Sequence, residues 1–68
     1  MNLTEKRSNF VVADIGGTNA RFGIVMRDGV ISEIEVLPCQ EYVGLRDAFI
    51  DYIERRDFSA TRLALAVA

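Results

Sequence analysis

Histidine is absent from these 68 residues, and cysteine and proline occur once each. A single cysteine excludes a disulfide framework, and without histidine the usual Cys/His zinc cluster has too few ligands. Long apolar runs are missing too. The longest, Leu63-Ala64-Leu65-Ala66-Val67-Ala68, is far too short to span a bilayer, so no membrane partner is expected. The opening residues, Met1 to Asn9, are polar and lack the apolar stretch of a secretory signal. A lone unpaired cysteine fits a reducing compartment, and the expected location is cytoplasmic. Neither charge sign dominates: eight basic and ten acidic residues give a net charge of −2. There is no basic stripe with interleaved aromatics, which speaks against a nucleic-acid surface.

Core material, by contrast, is abundant, at 50% hydrophobic residues. A chain of this length buries only about 60% of the surface its unfolded form exposes. Ordering costs roughly 1.5 kcal/mol per residue, which apolar burial offsets with little to spare. A composition rich enough for a core thus sits on a chain too short to use it fully.

The order of elements follows from pattern. Residues 1–8 read as a polar leader. Phe10 to Ile15 is β-branched and almost wholly apolar, as a central strand is. Gly16-Gly17-Thr18-Asn19 supplies turn chemistry, and Ala20 to Met26 is a second strand. Asp28-Gly29 predicts a type I′ hairpin turn. Val30 to Leu37 alternates, with Val30, Ser32, Ile34 and Val36 on one side and Ile31, Glu33 and Glu35 on the other. Glu33 and Glu35 read as a solvated outer face. Pro38, unable to donate to a ladder, ends the strand. Leu45, Ala48, Phe49, Tyr52 and Ile53 then form a helical apolar stripe, with Gly44 as N-cap. Arg62 to Ala68 is the last strand. The expected fold is α/β, order β-β-β-α-β, a mixed sheet with the last strand parallel to the first.

The chemistry concentrates in Asp14-Ile15-Gly16-Gly17-Thr18-Asn19. Consecutive glycines let a backbone approach a ligand closely and gather its amides into a nest for phosphate oxygens. Thr18 and Asn19 add side-chain donors. Asp14, ending a buried strand, can hold Mg²⁺ through water. The plainer alternative is a tight hairpin that Asp14 merely caps. The segment is neither a Walker A loop nor a dinucleotide fingerprint, since the lysine is missing and the loop joins two strands. Cys39 reads as an ordinary half-buried thiol, Gly23 as a close packing point or bend, and Arg21 as a surface or cleft-edge charge.

Val11 to Phe22, with its Asp-x-Gly-Gly-Thr-Asn-x-Arg run, resembles the first phosphate motif of bacterial glucokinases, members of the hexokinase, actin and Hsp70 ATPase superfamily. Tyr42-Val43-Gly44-Leu45 and Leu63 to Ala68 agree with it, so the resemblance extends over residues 9–68. It implies a partial ribonuclease-H-like (actin-like ATPase) domain, truncated after its fourth strand. It further implies ATP and Mg²⁺ as cofactors and glucose as the phosphoryl acceptor. Asp14 would contact the metal-nucleotide, and Gly16, Gly17, Thr18 and Asn19 would line the β- and γ-phosphates. The family's general base lies in an Asn-Asp-Phe segment that this sequence does not contain, so no catalytic residue is assigned and inactivity alone is expected. Rival readings are a non-catalytic sugar-sensing or regulatory protein of the same fold, and a dimerising structural module. The wholly apolar last strand also predicts self-association through the strand ending at Ala68.

Overall fold

A four-stranded sheet of order β3-β2-β1-β4 organises the chain. The computed structural model describes residues 6–67; the first five residues of the leader, and Ala68 with the end of the last strand, lie outside the described residues. The strands are β1 (Arg7–Ile15), β2 (Asn19–Met26), β3 (Ile31–Pro38) and β4 (Arg62–Val67). A 3-10 turn, Cys39–Glu41, precedes the helix α1 (Leu45–Glu54). β1 pairs antiparallel with β2 and parallel with β4, while β2 pairs antiparallel with β3. This is the β-β-β-α-β order with parallel first and last strands that the hydrophobic pattern predicts. β1 starts ahead of the expected Phe10, because Ser8 stitches a bulge. Its hydroxyl donates to the Val25 carbonyl at 2.5 Å and accepts the Phe10 N–H at 3.1 Å.

One face of the sheet holds the core. Val11 and Ala13 of β1, Ala20, Phe22, Ile24 and Met26 of β2, and Leu37 of β3 are buried with Ala48 and Tyr52 of α1. Alternation along each strand sends these residues to the same side. The helical stripe answers them: Phe22 stacks on Tyr52 with ring centroids 5.2 Å apart and meets Phe49 at 6.3 Å. α1 ends where Asp57 adopts φ +50°. The Asp57 N–H then reaches the Glu54 carbonyl at 3.1 Å and the Phe58 N–H reaches that of Ile53 at 3.0 Å, the paired bonds of a Schellman end.

Two local expectations are corrected. The β2–β3 connection is not a type I′ turn, because Gly29 has φ +91° while Asp28 does not enter the positive region. Instead, the Gly29 N–H donates to the Met26 carbonyl at 2.9 Å and the Met26 N–H to that of Val30 at 2.7 Å. This is the three-residue loop in which a left-handed glycine follows a turn. The second correction lies in β3. Its register shifts opposite Gly23, between Phe22 and Ile24, and Glu33 at φ +54° is the irregular residue.

The bulge breaks the predicted alternation and turns both glutamates away from a solvated role. Glu33 pairs with Arg7, which donates from Nε and Nη2, and lies 3.8 Å from Arg56. Glu35 holds Arg55 at 2.9 Å and Arg56 at 2.8 Å. Arg55 keeps the Glu35 carboxyl below the usual carboxylate range, with Arg56 assisting. The cluster thus ties the start of β1, the bulge and the end of α1 together.

Candidate functional site

Asp14 lies near the carboxyl end of β1. Its neighbour Ala13 faces the core, so alternation places Asp14 on the sheet face away from α1. β1 and β4 are parallel, and their carboxyl ends therefore coincide. In open α/β sheets, the space outside the carboxyl ends of parallel strands is where ligands bind.

The loop after β1 is closed by its own backbone. The Gly16 N–H donates to the Asn19 carbonyl at 2.9 Å. The Cys39 N–H donates to the Thr18 carbonyl at 2.8 Å, which fastens the hairpin to the 3-10 turn. The Asn19 side-chain amide donates to the Thr18 hydroxyl at 3.3 Å. The N–H groups of Gly17 and Thr18 find no backbone acceptor among the described residues. They remain available as donors at the exposed tip.

Asp14, Gly16 and Asn19 line one depression of about 230 Å³, together with Arg21 and Val36. Gly17 and Thr18 stand outside that lining, at the loop tip. The Asp14 carboxylate is exposed and makes no ion pair with any described residue, nor does Arg21. Arg21 is the functional candidate that sequence reasoning set aside. It is the antiparallel register partner of Asp14, so it shares its face and its depression. The two residues flank the loop symmetrically, and hairpin pairing across it is the signal that brings them together.

Backbone conformation does not demand glycine in this loop, since none of Gly16 to Asn19 has a positive φ. Packing does not require glycine at the tip either, since a Cβ on Gly17 would meet no atom within 4 Å. The space over Gly17 is open, and only something outside the described chain can fill it. Cys39 is half-buried against the core, as an unreactive thiol would be. Among the described residues no helix is long and apolar enough to cross a membrane.

Comparison with known proteins sets this geometry in a family. The sequence model of the Glucokinase family matches residues 11–68. A glucokinase of Marinobacter nauticus is 50% identical over 60 residues, covering 85% of this chain and 19% of the relative. One from Neisseria gonorrhoeae is 44% identical over 59 residues, covering 85% of this chain and 18% of the relative. The crystal structure of a glucokinase from an Antarctic psychrotroph superposes with a TM-score of 0.76 at 33% identity, covering 87% of this chain and 20% of that one. The chain spans about a fifth of the length of the relatives it matches. On sequence and fold together, the chain belongs to the glucokinase family and carries an N-terminal segment of it.

Proposed function

We propose that the chain supplies the phosphate-binding segment of an ATP-dependent glucokinase, in which the γ-phosphoryl group of ATP passes to the 6-hydroxyl of glucose. The observation that carries this reading is the unpaired Asp14 carboxylate beside a two-glycine loop, at the carboxyl end of the parallel β1–β4 pair. The donor set suits a metal-nucleotide. The exposed N–H groups of Gly17 and Thr18 and the side chains of Thr18 and Asn19 point to phosphate oxygens as partners. Gly16 and Gly17 let those oxygens come close. Asp14 would hold Mg²⁺ through water. Among the described residues no group of three or more Asp, Glu, His or Cys side chains is gathered for a metal. Mg²⁺ accepts such a sparse site, keeping its waters and bridging to phosphates. When bound, it neutralises charge on the transferring phosphoryl group.

No residue here is assigned to take the proton of the sugar hydroxyl, so the chain by itself is expected to be inactive and to bind nucleotide weakly. The place of action is the cytoplasm. The β4 edge belongs to the same reading. Leu63 and Leu65 are 38% and 49% exposed on the edge strand, which favours self-association through that edge.

Titration of Mg-ATP into the isotopically labelled chain, followed by amide chemical shifts, tests the proposal. Shifts confined to residues 14–21, saturating in the range of order millimolar, are expected, with no glucose 6-phosphate formed in a coupled assay. Shifts centred elsewhere overturn the assignment of the loop. Micromolar affinity or glucose turnover overturns the expectation that the chain by itself is inactive and binds nucleotide weakly.

A further inference from the structure

The hairpin joining β2 to β3 satisfies the sequence rules of two registers. From Asn19 to Phe22, β2 pairs with Pro38 to Glu35 in one continuous register. Beyond Gly23 the pairing slips by one, so Ile24 meets Ser32 and Val25 meets Ile31. Without the slip, Ile24 would meet Glu33, Val25 would meet Ser32 and Met26 would meet Ile31. Arg27 would then pair with Val30 and leave Asp28-Gly29 as a two-residue loop, the preferred composition of a type I′ turn. The turn residues thus match the register that the bulge displaces.

Costs and gains are divided between the two. The observed register holds Glu33 at φ +54°, a left-handed position that glycine ordinarily takes in a bulge of this kind. It also leaves Ile31 48% exposed on the sheet face away from α1. The continuous register needs no left-handed residue within β3. It carries Ile31 to the core face beside Met26 and sends Ser32 outward, because a one-residue slip exchanges faces.

Three bonds hold the observed form against these gains. The Tyr52 hydroxyl donates to the Glu33 carbonyl, and Arg7 donates to the Glu33 carboxylate. The Val30 N–H donates to the Asp28 carboxylate at 3.0 Å. Resistance to sliding is otherwise small, since β3 lies at the edge of the sheet and no third strand pairs with it.

We propose that the β2–β3 hairpin is a two-register switch. Val30 to Glu33 slide by one position between the bulged form and a continuous form turned at Asp28-Gly29. The slide withdraws Ile31 from an apolar depression of about 400 Å³ whose lining includes Asp14 and Arg21. Pairing from Asn19 to Phe22 is common to both forms, and the switch is read without nucleotide. Its failure therefore leaves the phosphate-binding proposal standing.

Cross-strand nuclear Overhauser contacts in the labelled 68-residue chain read the register. The bulged form gives Ile24–Ser32 and Val25–Ile31 contacts. The continuous form gives Val25–Ser32 and Met26–Ile31 contacts instead. The unaltered chain is expected to show the first set, with relaxation dispersion at residues 24–33 reporting a second state populated to about 1%. Glu33→Gly accepts the left-handed backbone and should quench that dispersion. Asp28→Gly removes the bond to Val30 and eases the positive φ of a type I′ turn, so it should raise the second state at least tenfold. Adding Glu33→Val, whose β-branched side chain opposes a positive φ, should make the second set of contacts dominant. Asp28 is exposed in the turn, so Asp28→Gly tests the proposal even where the double variant does not fold. Flat dispersion in both the unaltered chain and Asp28→Gly overturns the proposal. So does a folded double variant that retains the Ile24–Ser32 and Val25–Ile31 contacts.

Discussion

The hydroxyl of Tyr52, fully buried in the last turn of α1, donates to the backbone carbonyl of Glu33 at 2.7 Å. The bond joins the helix to the one residue of β3 held at a positive φ. Arg56 lies 3.9 Å over the same ring and reaches both Glu33 and Glu35, so hydroxyl, ring and carboxylates act on one short stretch of strand. The bulge is therefore supported from two directions, by a neutral hydrogen bond within the core and by charged pairs at its edge.

Tyr52→Phe isolates the first of these supports. It keeps the stack on Phe22 and the contact with Arg56, and removes only the donor to Glu33. A buried carbonyl left without its partner costs about 1–3 kcal/mol. The expected result is a lower urea midpoint with an unchanged slope, the product of slope and midpoint falling by that amount. An unaltered midpoint would mean that the arginine cluster alone holds the bulge.

Alkaline pH attacks the same bond. Burial pushes the Tyr52 hydroxyl up to about 12, above its ordinary value near 10. The folded state thus keeps a proton that the unfolded chain releases. Stability is fully present below about pH 10 and falls as pH rises towards 12, by roughly 2–3 kcal/mol at 1.36 kcal/mol per unit. Absorbance at 295 nm should show a late tyrosine ionisation that coincides with loss of structure. Tyr52→Phe should abolish that late phase. The Tyr42 hydroxyl, which donates to Asp51 at 2.6 Å, is also raised by that bond, and its titration remains in the variant.

Gly23 bears on the other side of the bulge. A Cβ there would stand 2.6 Å from Ile31 Cγ2 and 3.4 Å from Ile34 Cγ1. Ile31 is β-branched and has few alternative rotamers. Gly23→Ala is expected to destabilise by about 1–3 kcal/mol through overpacking. Adding Ile31→Ala should recover much of the loss, which a double-mutant cycle in urea would measure.

Local chemistry was legible in the sequence, and pairing across distance was not. The stripe Leu45, Ala48, Phe49, Tyr52 and Ile53 announces α1, because its period belongs to the helix itself. Strand order follows from apolar runs and turn residues. The bulge leaves no such mark, since the letters from Ile31 to Leu37 alternate equally well with an extra residue or without one. Its clue is Gly23 on the partner strand, and a glycine in a strand has several meanings. Arg7 and Arg56, 49 positions apart, meet at Glu33 only after the sheet and helix have packed. Asp28-Gly29 suits both the type I′ turn and the three-residue loop, and the flanking hydrogen bonds decide between them. At the candidate site, residue types were readable from Asp14 to Asn19, but Arg21 joins them through register.

Gly17 offers a way to separate function from stability. Its φ is not positive, and a Cβ would meet no atom within 4 Å, so neither strain nor crowding opposes alanine there. Gly17→Ala should leave the stability measured in urea within about 0.5 kcal/mol, as surface substitutions do. It should nonetheless weaken the response to Mg-ATP, because the added methyl group occupies the space through which phosphate oxygens approach the Gly17 and Thr18 N–H groups. The amide-shift titration reads this directly, as smaller shifts at residues 16–19 at equal ligand concentration. Equal shifts in the two proteins would mean that the phosphates do not pass over Gly17, and the tip of the loop would lose its assigned role. A drop in stability without a change in binding would instead make the second glycine a requirement of the hairpin.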